Sequence, residues 1–317
     1  MIRISVIFAL LVSLLAAPSY ASVFDLDEEE LAVNILWNRF ENLPKEKRPK
    51  VAVVLGGGGA RGFAHIGVLK VFREEQIPVD LVVGTSIGSI AGAFFCAGIS
   101  MSKVDALAKH MSWSQISNFN IPSLAVMFLS DKLLSNEKLV KFLNDSMGDI
   151  TFDQLQTPLI CVATDLNTGE RILLRSGSVS FAARASSNIP GLFEPVEYKQ
   201  RYLVDGGISE NIPVKVAQIY KPDVIIAVPV PADITKNSTD NVYMTLMQAI
   251  YIQGQSIDQE ELQNADVLIR PNVGDINAID MEHAYQAVDK GFYAAQKSLK
   301  DIKIKIIEKT QEKYLLE

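Results

Sequence analysis

Cysteine is nearly missing from this 317-residue sequence. Cys96 and Cys161 are too few for a small disulfide scaffold, and each lies in an apolar run (Ala93-Phe94-Phe95-Cys96 and Leu159-Ile160-Cys161-Val162) where a buried free thiol is the expected state. Histidine is almost as scarce, at three, which narrows the choice of general bases. Basic residues are outnumbered, 30 Lys plus Arg against 37 Asp plus Glu, for a formal charge of −7. That balance offers no general attraction to nucleic-acid phosphates or anionic membranes, so no nucleic-acid partner is expected. After Lys50 there is no internal repeat, low-complexity tract or long Pro/Ser linker. No carboxylate-rich loop resembles a calcium site, and neither a metal nor a cofactor is expected. Long apolar runs are missing too, with one exception.

The exception is Met1 to Ala21: one basic residue (Arg3), an apolar run from Ile4 to Ala17, then Pro18-Ser19-Tyr20-Ala21 before Ser22. Small residues stand where a signal peptidase reads, so the segment reads as a cleaved secretory signal and predicts an exported, periplasmic or secreted protein. An uncleaved anchor is the alternative, but the run falls short of the roughly 20 residues that cross a bilayer. No cysteine lies in the first 22 residues to carry a lipid. Residues 22–50 read as a helical and linker segment through Trp37 and Phe40, and residues 51–317 as one catalytic-size domain.

What is present is alternation. Short apolar strands are expected at Val51–Leu55, Val79–Val83, Leu159–Thr164, Arg171–Leu174, Tyr202–Val204, Val224–Val230 and Val267–Arg270, separated by helical patterns. Buried strands between helices predict a three-layer α/β/α fold with a largely parallel central sheet. The tail after Asp301 alternates Ile and Lys before turning charged, and reads as an edge strand or a peripheral helix. The segment Tyr243 to Tyr251 reads as a buried amphipathic helix.

Gly84-Thr85-Ser86-Ile87-Gly88 follows a strand and opens a helix, the setting that makes G-x-S-x-G a nucleophile elbow. Gly84 and Gly88 leave room for the sharp turn, and Ser86 is the expected nucleophile; a chance match with a capping serine is the bland alternative. Gly56-Gly57-Gly58-Gly59-Ala60-Arg61-Gly62 also joins a strand to a helix. It admits three readings: an oxyanion hole built from the N–H groups of Gly57, Gly58 and Gly59 beside the charge of Arg61, a nucleotide or anion site, or a structural turn. Against a dinucleotide site, Asp80 precedes the second strand instead of ending it, and no Gly-Lys-Ser/Thr follows for a Walker loop. For a base, His283 follows Ser86 in the α/β-hydrolase order but sits in a polar helical stretch, while Asp205-Gly206-Gly207 ends a strand. Asp205 is therefore the better partner, with a Ser-Asp-His triad through His283 kept as the alternative.

These residues resemble the patatin-like phospholipase family, whose bacterial members carry a G-G-G-x-R/K-G loop, a G-x-S-x-G elbow and a D-G-G/A motif in this order. Here they are Gly57 to Gly62, Gly84 to Gly88 and Asp205 to Gly207, with the fourth family block at Ala185 to Pro195. The resemblance covers Val51 to Gly207, not residues 22–50 or those beyond about 275. It implies a serine acyl hydrolase acting on lipid or phospholipid esters, with Ser86 and Asp205 as a catalytic dyad and the glycine loop with Arg61 as oxyanion hole. The apolar stretch from Trp113 through Ile116, Phe119 and Leu124 to Leu129 offers an acyl channel or a membrane-facing cap for peripheral contact, with ordinary packing against the core as the alternative.

Overall fold

Strands rich in Val and Ile place alternate side chains on opposite faces, and a sheet buried on both faces needs helices above and below. The computed structural model, which describes residues 28–118, 133–236, 239–240, 242–281 and 283–315, has that plan. In chain order it comprises α1 (Glu28–Glu41), β1 (Val51–Leu55), α2 (Ala64–Glu74), β2 (Leu81–Thr85), α3 (Ile87–Cys96), α4 (Met101–Lys109), a single turn α5 (Trp113–Ile116) and α6 (Glu137–Met147). There follow β3 (Leu159–Asp165), β4 (Arg171–Leu174), α7 (Val179–Ser186), β5 (Val196–Tyr198), β6 (Arg201–Asp205), α8 (Val214–Ile219), β7 (Val224–Val228), α9 (Val242–Leu262), β8 (Val267–Leu268) and α10 (Gln286–Leu315).

The eight strands form one sheet. β1, β2, β3, β7 and β8 run parallel, while β4, β5 and β6 join antiparallel on the β3 side. Along β1, Val51, Val53 and Leu55 enter one core with α2, α3 and α10, while Ala52 and Val54 enter the other with α8. That alternation is the three-layer α/β/α architecture expected from the sequence. Trp37 and Phe40 of α1 are buried in the first core, so the N-terminal segment is packed onto the domain from Glu28 onward.

One detail of pairing places the site. β4 occupies one edge of β3 over Cys161–Thr164. β2 and β6 therefore share the other edge: β2 pairs with Leu159–Val162, and β6 takes over from Ala163 to Asp165. The end of β2 and the end of β6 thus meet along one strand edge.

Two expectations change. The tail is neither an edge strand nor a peripheral helix: it completes the 30-residue helix α10, with Ile302 and Ile306 fully buried. Spaced by four, these two isoleucines share a helix face, so the Ile–Lys alternation fits a 3.6-residue period as well as a two-residue one. The helix at Tyr243 to Tyr251 exists within α9 but is not buried, because only one side faces the protein: Val242 is 77% and Leu246 59% exposed. Cys96 and Cys161 are buried free thiols, and burial pushes the Cys161 thiol up to about 12. The signal reading, at residues 1–21, and the stretch Phe119 to Leu129 lie outside the described residues.

Candidate active site

Ser86 stands between β2 and α3 with φ +56° and ψ −127°, a left-handed conformation that a side chain adopts at a cost of about 1–3 kcal/mol. The neighbours hold it there. A Cβ on Gly84 would lie 2.6 Å from the Gly88 carbonyl oxygen, and one on Gly88 would lie 2.2 Å from that of Leu55, so both elbow glycines are sterically required. The Ser86 N–H donates to Ser186 Oγ at 2.9 Å, and that hydroxyl donates to Val162 O at 2.6 Å, tying the elbow to β3. Ser89 Oγ donates to Ser86 O at 2.6 Å.

Asp205 arrives on the same edge. It pairs with Ala163, one residue beyond the Val162 that pairs with Thr85, so the residue after Thr85 and the end of β6 converge. The Ser86 hydroxyl adjoins the Asp205 carboxyl in one cavity and favours its charged form, while Asp205 Oδ1 accepts the Gly207 N–H at 2.8 Å. Burial pushes the Asp205 carboxyl up to about 6, and the nearby Ser86 hydroxyl and the Gly207 N–H pull it back only in part. A carboxylate so raised is a better base than an exposed one and is still ionised at neutral pH.

The glycine loop lies against the nucleophile: a Cβ on Gly57 would come 3.2 Å from Ser86 Cβ. The Gly57 N–H donates to Asn211 O at 3.1 Å and the Ala60 N–H to Ala278 O at 2.8 Å. Among the described residues no acceptor engages the N–H groups of Gly58 and Gly59, whereas that of Gly57, the third expected oxyanion donor, is already engaged. Gly59 holds φ +57° with its Cα against the Ala278 carbonyl, a place for no other residue. Arg61 lines the same cavity but is buried, and its Nε and Nη1 donate to Val230 O and Ile276 O, each at 3.2 Å. Its guanidinium anchors the loop. The start of α3 adds the positive end of a helix.

His65 is fully buried behind the loop, its Nε2 2.8 Å from Gly56 O, and burial drives it down to about 4, so it is neutral and donates to that carbonyl. His283 is exposed and paired with Asp280 at 2.7 Å, outside the cavities beside Ser86, and does not complete a triad.

Two cavities flank Ser86. One, of about 120 Å³, is bordered by Asp205, Asn211, Tyr251 and Asp258 and is partly polar. The other, of about 60 Å³, is lined by Phe63, Ile90, Met111, Trp113 and Phe193, and shares Phe63, Ile87, Ile90 and Met111 with a narrower hollow that continues to Phe94 and Leu107. Among the described residues no cluster of His, Cys, Asp and Glu is suited to a metal ion. Sequence reasoning reached Ser86, Asp205 and the glycines but passed over Asn211, Ser186 as a tether, and Asp258. Ser186 lay within the fourth motif block, and Asn211 only six residues after Asp205.

A family model described as patatin-like phospholipase matches residues 53–217, which contain the loop, the elbow and Asp205. An NTE family protein of Mycobacterium tuberculosis is 35% identical over 180 residues, covering 57% of this chain and 49% of the relative. The neuropathy target esterase of Drosophila melanogaster is 32% identical over 182 residues, covering 57% of this chain and 13% of the esterase. The chain thus spans about half the length, or less, of these relatives. Among solved structures, VipD from Legionella pneumophila aligns with TM-score 0.48 at 15% identity, over 80% of this chain and 67% of VipD.

Proposed function

The chain belongs to the patatin-like phospholipase family, and from that premise we propose that it is a serine acyl hydrolase cleaving carboxylic ester bonds of lipids through a Ser86–Asp205 dyad. The observation that carries the proposal is Ser86, held at a strained elbow, sharing a cavity with a buried carboxyl whose charged form it favours, and lying against a loop with two unengaged N–H groups. Ser86 Oγ attacks the ester carbonyl carbon as its proton passes to Asp205, and the Gly58 and Gly59 N–H groups stabilise the oxyanion. Collapse breaks the bond to the alkoxy oxygen, and the departing alcohol takes the proton from Asp205. Water then attacks the acyl-enzyme, gives its proton to Asp205 and releases the fatty acid, while Ser86 regains its hydrogen.

The apolar cavity takes the acyl chain and the partly polar one the alcohol half, since only the former is walled by Phe63, Ile90, Met111 and Phe193. Peripheral contact with a lipid surface belongs to the same proposal. It is supported by the exposed Val242, Leu246 and Ile250 of α9, a helix without a charged residue from Val242 to Ile257 and with Ile250 at the cavity rim. Export to the periplasm or beyond is proposed from the composition of Met1 to Ala21, and a mature N-terminus at Ser22 is its test.

Fluorophosphonate labelling followed by peptide mass spectrometry tests the dyad directly. Modification of Ser86 in the wild type and its loss in Asp205→Ala are expected; labelling elsewhere, or none, defeats the proposal.

A further inference from the structure

Asn211 lies in a narrow gap between two stretches of backbone that chemistry requires to stay apart. A Cβ on Gly57 would come 2.5 Å from Asn211 Oδ1, and one on Gly207 3.2 Å from the same atom. The amide therefore touches the oxyanion loop on one side and the turn that supplies an N–H to Asp205 on the other. Its main-chain carbonyl also accepts the Gly57 N–H. An amide so placed can be turned either way by 180°, and only a partner at its far end selects the orientation. That partner is Asp258 of α9, whose Oδ2 accepts from Asn211 Nδ2 at 2.9 Å.

We infer that Asn211 and Asp258 form a brace that sets the distance between the glycine loop and the Asp205 turn, which makes Asp258 a positioning residue for the acyl transfer. The inference rests on the hydrolase reading above. Several features of Asp258 fit a positioning task better than a stabilising one. Its Oδ1 is buried with no partner among the described residues, a costly state that an apolar residue would avoid. Burial pushes its carboxyl up to about 6, the Asn211 bond opposes this, and nearby Glu261 adds to it. Asp258 borders the cavity on the alcohol side, but its route to the reacting atoms runs through Asn211. The brace also ties α9, which carries the exposed apolar residues, to the oxyanion donors.

Steady-state kinetics of the full chain on p-nitrophenyl butyrate, with the rate of fluorophosphonate labelling at Ser86, test it. Asp258→Ala is expected to lower kcat by about 10- to 100-fold, the scale of a small misplacement of catalytic groups, with KM within about threefold and labelling slowed in parallel. Asp258→Asn, whose amide oxygen still accepts from Asn211, is expected to restore both rates to within about threefold. Unchanged kcat in Asp258→Ala overturns the inference, as does a rise in KM with kcat intact, which would mean direct contact with substrate. An Asp258→Asn variant as poor as Asp258→Ala overturns it too. If Asp258→Ala does not fold, Asn211→Ala is read by the same criteria. Failure of the hydrolase reading would look different: the wild type itself would neither label at Ser86 nor turn over.

Discussion

Asp205 reaches Ser86 because β6 takes over the edge of β3 at Ala163, the residue after the one where β2 lets go. Two groups far apart in the chain are thereby brought to the same cavity by backbone pairing, before any side-chain packing is considered. Removing either is expected to stop catalysis without unfolding the protein. Ser86→Ala and Asp205→Asn should each reduce p-nitrophenyl ester turnover by at least about 10³-fold, with unchanged circular dichroism.

Strain at the elbow predicts a separate effect. Ser86→Gly relieves a left-handed φ, so this inactive variant should melt about 2–4 °C above the wild type, the shift that roughly 1 kcal/mol gives a chain of this size. A melting point equal to or below that of the wild type would show that the turn stores no such strain.

With its carboxyl at about 6, Asp205 gives activity and stability opposite pH trends. The base works ionised, so kcat/KM should fall as pH drops through about 6 and be level above it. The folded-state value lies above the ordinary 3.8, so between these the folded protein holds more protons than the unfolded one. Its contribution to stability is accordingly full below about 3.8 and is lost as pH rises through 6. Asp258 titrates in the same range, so Asp258→Asn separates them: the activity limb should persist in that variant.

The two histidines should behave differently. His283→Ala is expected to leave turnover unchanged, because this side chain is exposed and, among the described residues, pairs with Asp280. His65→Leu leaves the buried Gly56 carbonyl without its donor, which should cost about 1–3 kcal/mol in urea unfolding.

Met111 borders both apolar hollows, so Met111→Trp should shorten the acceptable acyl chain. Hydrolysis of palmitoyl esters is expected to fall about tenfold or more while butyryl esters are spared, the kind of discrimination a few methylenes allow. Equal losses on both esters would place the acyl chain elsewhere.

Much of the site was legible in the sequence because its demands are local. Gly84, Ser86 and Gly88 answer one sharp turn, and Gly58 and Gly59 one loop, so their spacing carries the geometry. The Asn211–Asp258 bond was not legible, since it joins residues 47 apart through a helix whose placement no local pattern encodes. Apolar content alone also misjudged α9: Leu246 and Ile250 look like core residues until the structure leaves their side uncovered. In the tail, Ile302 and Ile306 satisfied two periodicities at once, and only packing of α10 against the core decided between them.

The glycine loop leans on chain that follows far behind it. Ala278 O accepts the Ala60 N–H, and Ile276 O accepts Arg61 Nη1. Both carbonyls lie beyond residue 217, where the family match ends. A chain cut there would keep every motif and lose these supports of Ala60 and Arg61 in the loop. On the hydrolase reading, a fragment bounded by the motifs is expected to turn over p-nitrophenyl esters more slowly than the full chain, which a truncation after residue 217 checks.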